Sequence, residues 1–327
     1  MVLRPLLGVA FAFGLASSAA GQSTAELTAQ LAKSATVDDA MVGDDGAKSE
    51  TYRTYERWRD RATIAELQDF TRHQSPVVRC YAVRALVELE ANVDWPAILQ
   101  GFLRDTAGVR TFRGCCLADE KVGDVVFDEV RPRLGDEQVL DVAEALIRGR
   151  SPLYAREWAL RNLRLRDGML HVVRDLARAG DAPAGIALAR YHLSVDVPVL
   201  VDLLCGDEPF DENAQFLAAA EHADPRLLKP LLQLEAAATR RLQHDHPSRL
   251  RFWLQAIAAQ QSEPAGAFLA RFLGATHPDN DFAEGDLLAT MADTLKPYGD
   301  VTAFAAVRAE LARRQAARQQ QGERRRR

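Results

Sequence analysis

The apolar positions of the chain follow two regimes. Near the amino terminus Leu6 to Ala16 is almost continuously apolar, comes after one basic residue, Arg4, and runs into the small residues Ser17 to Gly21. A basic start, a short apolar middle and small residues before a cleavage point are the layout of a secretory signal peptide. The run is well short of the roughly 20 residues that span a bilayer. Residues 1–21 are therefore expected to direct export and to be removed, leaving a soluble protein in the periplasm or outside the cell. From Thr51 onward apolar residues recur at spacings of three and four, breaks are short and carry Pro, Gly or Asp, and strand-like alternation is almost missing. That pattern predicts helix after helix.

The helix boundaries are marked residue by residue. "STAELTAQLAKS" predicts a short first helix, with Ser23 or Thr24 as its cap. The stretch from Ala35 to Glu50 is acidic, contains glycine and is weakly apolar, so residues 22–50 read as a short helix and a flexible acidic linker. "TIAE" at Thr63 to Glu66 fits a capping box. "DWPAIL" from Asp94 and "DVPVL" from Asp196 place an aspartate to accept from free helix-start amides and a proline where no amide partner is needed. In "DPRLLKPLLQL", from Asp224, the second proline, Pro230, predicts a kink or an end. Gly135, Gly180, Gly206, Gly274 and Gly299 read as stops between helices.

An internal repeat organises these helices. "RCYAVRAL" from Arg79 and "REWALRNL" from Arg156 share the frame R-x-x-A-x-R-x-L, and a Ser-Pro pair precedes each. "RGCC" places Arg113 and Cys116 as a degenerate copy between them. Within the first copy Val78, Ala82, Ala85 and Leu89 form one stripe. A helix pair cannot bury such a stripe alone, so stacked neighbours must share it. A two-helix unit of about 38 residues, ending in a helix that opens Ser-Pro and carries arginine, resembles the HEAT repeat. The resemblance spans residues 51–307, more clearly in the first half. It implies an all-α fold, a right-handed α-solenoid of about six or seven antiparallel helix pairs, but no particular function.

Beyond plain solvated charge, that frame gives the arginines two readings. One is a structural ladder, each arginine bridging to a carboxylate or helix end of the next unit. The other is a basic stripe on the concave face, Arg79, Arg84, Arg156, Arg161, Arg249 and Arg251, that binds an acidic partner. Aligning Arg79 with Arg113 also brings the cysteines into register. It predicts a disulfide from Cys80 to Cys115, with Cys116 as the alternative partner, which an exporting route would permit. The segment from Ala107 to Val130 departs most from the repeat. It reads as a degenerate unit with a long loop, or as an edge loop for recognition with Asp119, Glu120 and Lys121 at its tip.

Composition narrows the picture further. With 47% hydrophobic and 27% charged residues the chain has the balance of a globular protein. The net charge of −5 is unevenly spread, because residues 308–327 hold eight arginines against Glu310 and Glu323. An acidic body argues against nucleic acid as its partner. Residues 308–327 read as a basic, partly disordered tail, with weak contact to an anionic surface as its candidate role. None of the seven histidines falls in a metal-ligand spacing, "HDH" at His244 to His246 being a loop cluster, and nucleophile, phosphate and dinucleotide motifs are missing. No catalytic residue, metal or cofactor is assigned. The expected function is an exported non-catalytic scaffold, inhibitor or assembly factor whose partner is another protein. The alternative is an envelope-associated enzyme or ligand-binding protein on the same scaffold.

Overall fold

The computed structural model describes residues 22–43, 46–206, 213–244, 250–275 and 281–326. At 69% helix it is the mostly helical protein that the periodicity predicts, with one small sheet added. In chain order the elements are α1 (Thr24–Leu31), β1 (Thr36–Val42), α2 (Glu50–Arg59), α3 (Ile64–Phe70), α4 (Pro76–Glu88), α5 (Trp95–Gln100), β2 (Gly108–Gly114), β3 (Cys116–Lys121) and α6 (Val122–Val130). They continue as α7 (Asp136–Arg148), α8 (Tyr154–Asn162), α9 (Leu170–Arg178), α10 (Ala182–Ala189), α11 (Val197–Leu204), α12 (Ala214–Glu221) and α13 (Pro225–Gln233). The last are α14 (Glu235–His244), α15 (Arg251–Ala259), α16 (Glu263–Ala275), α17 (Asp281–Leu295) and α18 (Ala305–Arg326). The segment read as a signal peptide, residues 1–21, lies outside the described residues.

Local chemistry sets most helix starts where the sequence marks them. Ser23 and Thr63 each close a capping box with the glutamate three residues on. Asp94 accepts from the Ala97 amide and Asp224 from the Arg226 amide. Asp196 does not cap α11. Its buried carboxylate instead takes both Arg174 Nε, at 2.6 Å, and Nη2, at 2.9 Å. Gly135 sits at the start of α7 and Gly274 inside α16, so neither ends a helix. Pro230 is accommodated within α13, which stops three residues later.

The chain divides into two compact units. Described residues up to Val93 together with Ala107–Glu129 form the first, and Asp94–Thr106 with the residues from Val130 onward form the second. In the first unit the sheet has the order β1-β2-β3. β1 runs parallel to β2, with Asp38 opposite Phe112, and β2 runs antiparallel to β3, with Arg113 opposite Cys116. β1 packs on α2 and α4, and β2 also meets α4. The core there holds Leu27, Leu31, Tyr55, Trp58, Val78, Tyr81, Ala82 and Leu86. Trp58 donates from its indole to Thr28 Oγ1 at 2.8 Å, and Tyr55 stacks on Tyr81.

The all-α expectation holds in its coarse form, a mostly helical protein with one small sheet added. Within the segment expected to be a flexible acidic linker, Thr36–Val42 is ordered. It is a strand, and what fixes it is polar: Tyr81 Oη accepts from the Asp38 amide at 2.7 Å, while Arg84 Nη1 donates to the Asp38 carbonyl at 2.9 Å. Aspartate inside a strand hides the apolar alternation by which strands are read.

In the second unit α8 packs on α10, α10 on α12, α12 on α15 and α15 on α17. Beside them α9 packs on α11 and α11 on α13, while α16 packs on α18. Alanines such as Ala184, Ala187, Ala218, Ala219 and Ala256 are buried and leave room for close approach. Trp253 lies fully buried between Phe268 and Phe272, both edge-on, and donates to the Leu231 carbonyl at 2.9 Å. Burying side chains of this size contributes about 2–3 kcal/mol each. The part of 308–327 that is described continues α18 as helix. Arg308 donates to the Tyr298 and Val301 carbonyls, and buried Arg314 pairs with Glu284 and the Leu273 carbonyl. The tail is thus anchored by its own arginines, although the side chains of Arg324 to Arg327 lie outside the described residues.

Candidate functional site

The six arginines of the expected stripe occupy unlike environments. Arg84 is only 7% exposed. Its Nη2 lies 2.8 Å from Glu129 and 3.2 Å from Asp39, with Nε donating to Glu129 at 2.9 Å. Burial works against its charge, but Glu129 and then Asp39 outweigh that and hold its pKa above the ordinary arginine value. Buried and paired in this way, Arg84 does not belong to an exposed binding stripe. Arg79 turns back to the loop before its own helix, donating to the His73 and Gln74 carbonyls at 2.9 and 3.0 Å. Arg156 pairs with Asp181, the residue that caps α10. Arg161 pairs with Glu157 on the same helix at 2.7 Å. Arg251 is exposed, and Arg249 lies outside the described residues.

Other arginines in the second unit join helices in the way the ladder reading expects. Arg166 reaches Glu137 and Asp141 of α7 at 2.6 and 2.8 Å. Arg190 donates to the Leu160, Arg161 and Leu163 carbonyls at the end of α8, where helix carbonyls lack partners. Sequence frame alone did not separate these roles, because a shared position in a frame does not fix which neighbour a long side chain meets.

The segment from Ala107 to Val130 is a β-hairpin leading into α6. Gly114 and Cys115 make its two-residue turn, and Gly114 has φ +55. Cys115 has no positive φ, which fits a type II′ turn with glycine first. Asp119, Glu120 and Lys121 are not the tip, as expected, but lie at the far end of β3. Asp119 pairs with Arg110 at 3.1 Å, and Glu120 accepts from Thr111 and faces Arg113 at 3.5 Å. The true tip carries Cys115, Cys116 and Leu117, the last 59% exposed. Met41, 67% exposed, precedes Val42, which stands opposite Gly114.

β3 is an edge strand, and Cys116 to Asp119 are exposed along it. Because Arg113 and Cys116 flank a two-residue turn, they exchange the first pair of ladder bonds, and bonded and unbonded positions alternate from there. The amides of Leu117 and Asp119 therefore point away from β2. An outward row of backbone groups is what an added strand would pair with.

The expected bridge from Cys80 is not formed with either partner, and none of the four cysteines is in a disulfide. Cys80 is buried on α4, whereas Cys115 and Cys116 are exposed at the hairpin turn with their sulfurs 3.8 Å apart. Among the described residues no group of three or more His, Cys, Asp or Glu side chains is arranged to hold a metal ion. Among them, too, no helix is long and apolar enough to cross a membrane. No family model, no curated protein and no solved structure matches this chain.

Proposed function

We propose that the protein is an exported, non-catalytic binding scaffold whose partner is another protein, held by strand addition along β3. The observation that carries this reading is the outer edge of β3, along which no strand pairs among the described residues. Its outward amides at Leu117 and Asp119 sit beside an exposed apolar tip, on a hairpin backed by β1 and α4. Backbone pairing to an edge strand supplies affinity with little demand on partner sequence, and neighbouring side chains supply selection. The stacked order of helices from α8 to α17, with arginines tying neighbours together, supports a HEAT-like right-handed solenoid as the rest of the scaffold. Export rests on the layout of residues 1–21.

A photocrosslinking residue at Leu117, compared with one at exposed Tyr154 on α8, tests the reading in the exporting cell. The expected result is a defined adduct from position 117 alone. The identified partner, purified, should then lose more affinity for Asp119→Pro, which removes an outward amide while sparing the backbone bonds to β2, than for Asp119→Ala, which removes only the pair with Arg110. Equal affinity for the two variants would defeat strand addition.

A further inference from the structure

The geometry points to Cys115 and Cys116 as a thiol–disulfide exchange site, closing to a vicinal disulfide at the expense of a small-molecule disulfide and reopening with a small thiol. The two sulfurs lie 3.8 Å apart, both exposed, on neighbouring residues of a hairpin turn. Successive residues of a strand ordinarily point to opposite faces. Here the turn at Gly114 breaks that alternation and lets the two side chains lean together. A disulfide requires approach to about 2.05 Å, so the turn must twist. Both side chains are exposed, so this twist moves them through solvent rather than against packed neighbours. The other thiol of the same unit, Cys80, is buried on α4 and 1% exposed, which removes it from contact with a dissolved oxidant.

The two sulfurs have distinct parts. Hydrogen bonding with Cys115, and then its charge, raise the pKa of the Cys116 thiol, so Cys116 suits the second step. Cys115 Sγ, as thiolate, attacks one sulfur of the small disulfide; a new S–S bond forms, the old one breaks, and the first small thiol leaves with a proton. Cys116 Sγ then attacks Cys115 Sγ, the mixed disulfide breaks, and the second small thiol leaves with the other proton. Two electrons pass from the cysteine pair to the small disulfide, and two thiols are released for one consumed disulfide. Exposed disulfides are the readily reduced ones, so the closed form should reopen under a modest excess of thiol.

The test uses the full chain and glutathione disulfide as the probe. After incubation, free thiols are alkylated and the protein is digested with trypsin, which cuts after Arg113 and Lys121 and releases the segment 114–121 with no other cysteine in it. The expected product is that peptide unalkylated and lighter by two hydrogens, reverting to the doubly alkylated form after reduced glutathione is added. It should persist in a Cys80→Ala, Cys205→Ser variant and vanish in Cys116→Ser. Recovery of the doubly alkylated peptide at every ratio of the two forms would overturn the proposal. So would two glutathione adducts on it, or a peptide joined to the Cys80 segment.

Discussion

The guanidinium of Arg84 grips the carboxylate of Glu129, 45 residues further along the chain, through Nε at 2.9 Å and Nη2 at 2.8 Å. The same guanidinium holds the Asp38 carbonyl and stands 3.2 Å from Asp39. One side chain thus fastens β1 to α6 from its seat on α4. Removing one partner of a buried pair leaves the others uncompensated, so Arg84→Ala should destabilise the first unit by about 3 kcal/mol. Glu129→Gln keeps a hydrogen-bond acceptor and should cost about 1 kcal/mol. Denaturant titration of the two variants checks the ranking; a smaller loss for Arg84→Ala than for Glu129→Gln would contradict it.

Asp181 carries two duties, capping α10 through the Ala184 amide and pairing with Arg156. Asp181→Asn retains the cap and loses the charge, whereas Asp181→Ala loses both. The first should cost about 1 kcal/mol and the second about 2 kcal/mol. In a double-mutant cycle with Arg156→Ala the coupling energy should be about 1 kcal/mol. Additive effects would show that the pair contributes nothing of its own.

Two glycines separate a clash that can relax from one that cannot. A side chain on Gly266 would begin 1.9 Å from the Ala303 carbonyl oxygen, which is backbone. On Gly185 it would begin 2.5 Å from Leu203 Cδ1, the mobile end of a side chain. Gly266→Ala should therefore cost about 2–3 kcal/mol and Gly185→Ala about 1 kcal/mol. Thermal unfolding of the two variants reads the difference directly, and equal shifts in Tm would refute it.

Acid should weaken the second unit through His222. This ring is 7% exposed, its Nε2 has no partner, and it stacks on His192 with centroids 5.6 Å apart. Burial, then the His192 charge, lower its pKa; Arg226 adds to them, while Asp224 and Asp196 oppose. The unfolded chain thus binds this proton more readily than the folded one. Stability contributed by the neutral ring is present above about pH 6.5, the unfolded value, and falls as pH drops through the lowered folded value. The urea midpoint of His222→Gln should vary less with pH over that window than that of the parent. Parallel pH profiles would assign the acid sensitivity elsewhere.

How much of this was legible depended on how far each contact reaches along the chain. Capping by Ser23 and Thr63 is read from residues three apart, and both boxes form as the sequence predicts. β1 was missed because its order comes from Ser49, Tyr81 and Arg84, which lie 11, 43 and 46 residues from Asp38. No local spacing announces such contacts. The hairpin did leave a trace: Val109 and Thr111 are the buried alternates of β2, and Gly114 supplies the turn. A threonine in the buried series concealed the alternation. The arginine frame misled in the other direction, since Arg84 and Arg161 share a frame position, yet one is buried among carboxylates and the other pairs within its helix.

The sheet also bears on how the gene can be dissected. Its outer strand β1 and its middle strand β2 are separated in the sequence by the excursion of Asp94–Thr106 into the other unit. A fragment stopping at Val93 would therefore express a parallel edge strand with no neighbour to pair with. Deletion series that treat the amino-terminal region as self-contained should give insoluble or protease-sensitive products. A fragment in which a short polar bridge replaces residues 94–106 should behave better, because it restores the missing strand to the same polypeptide.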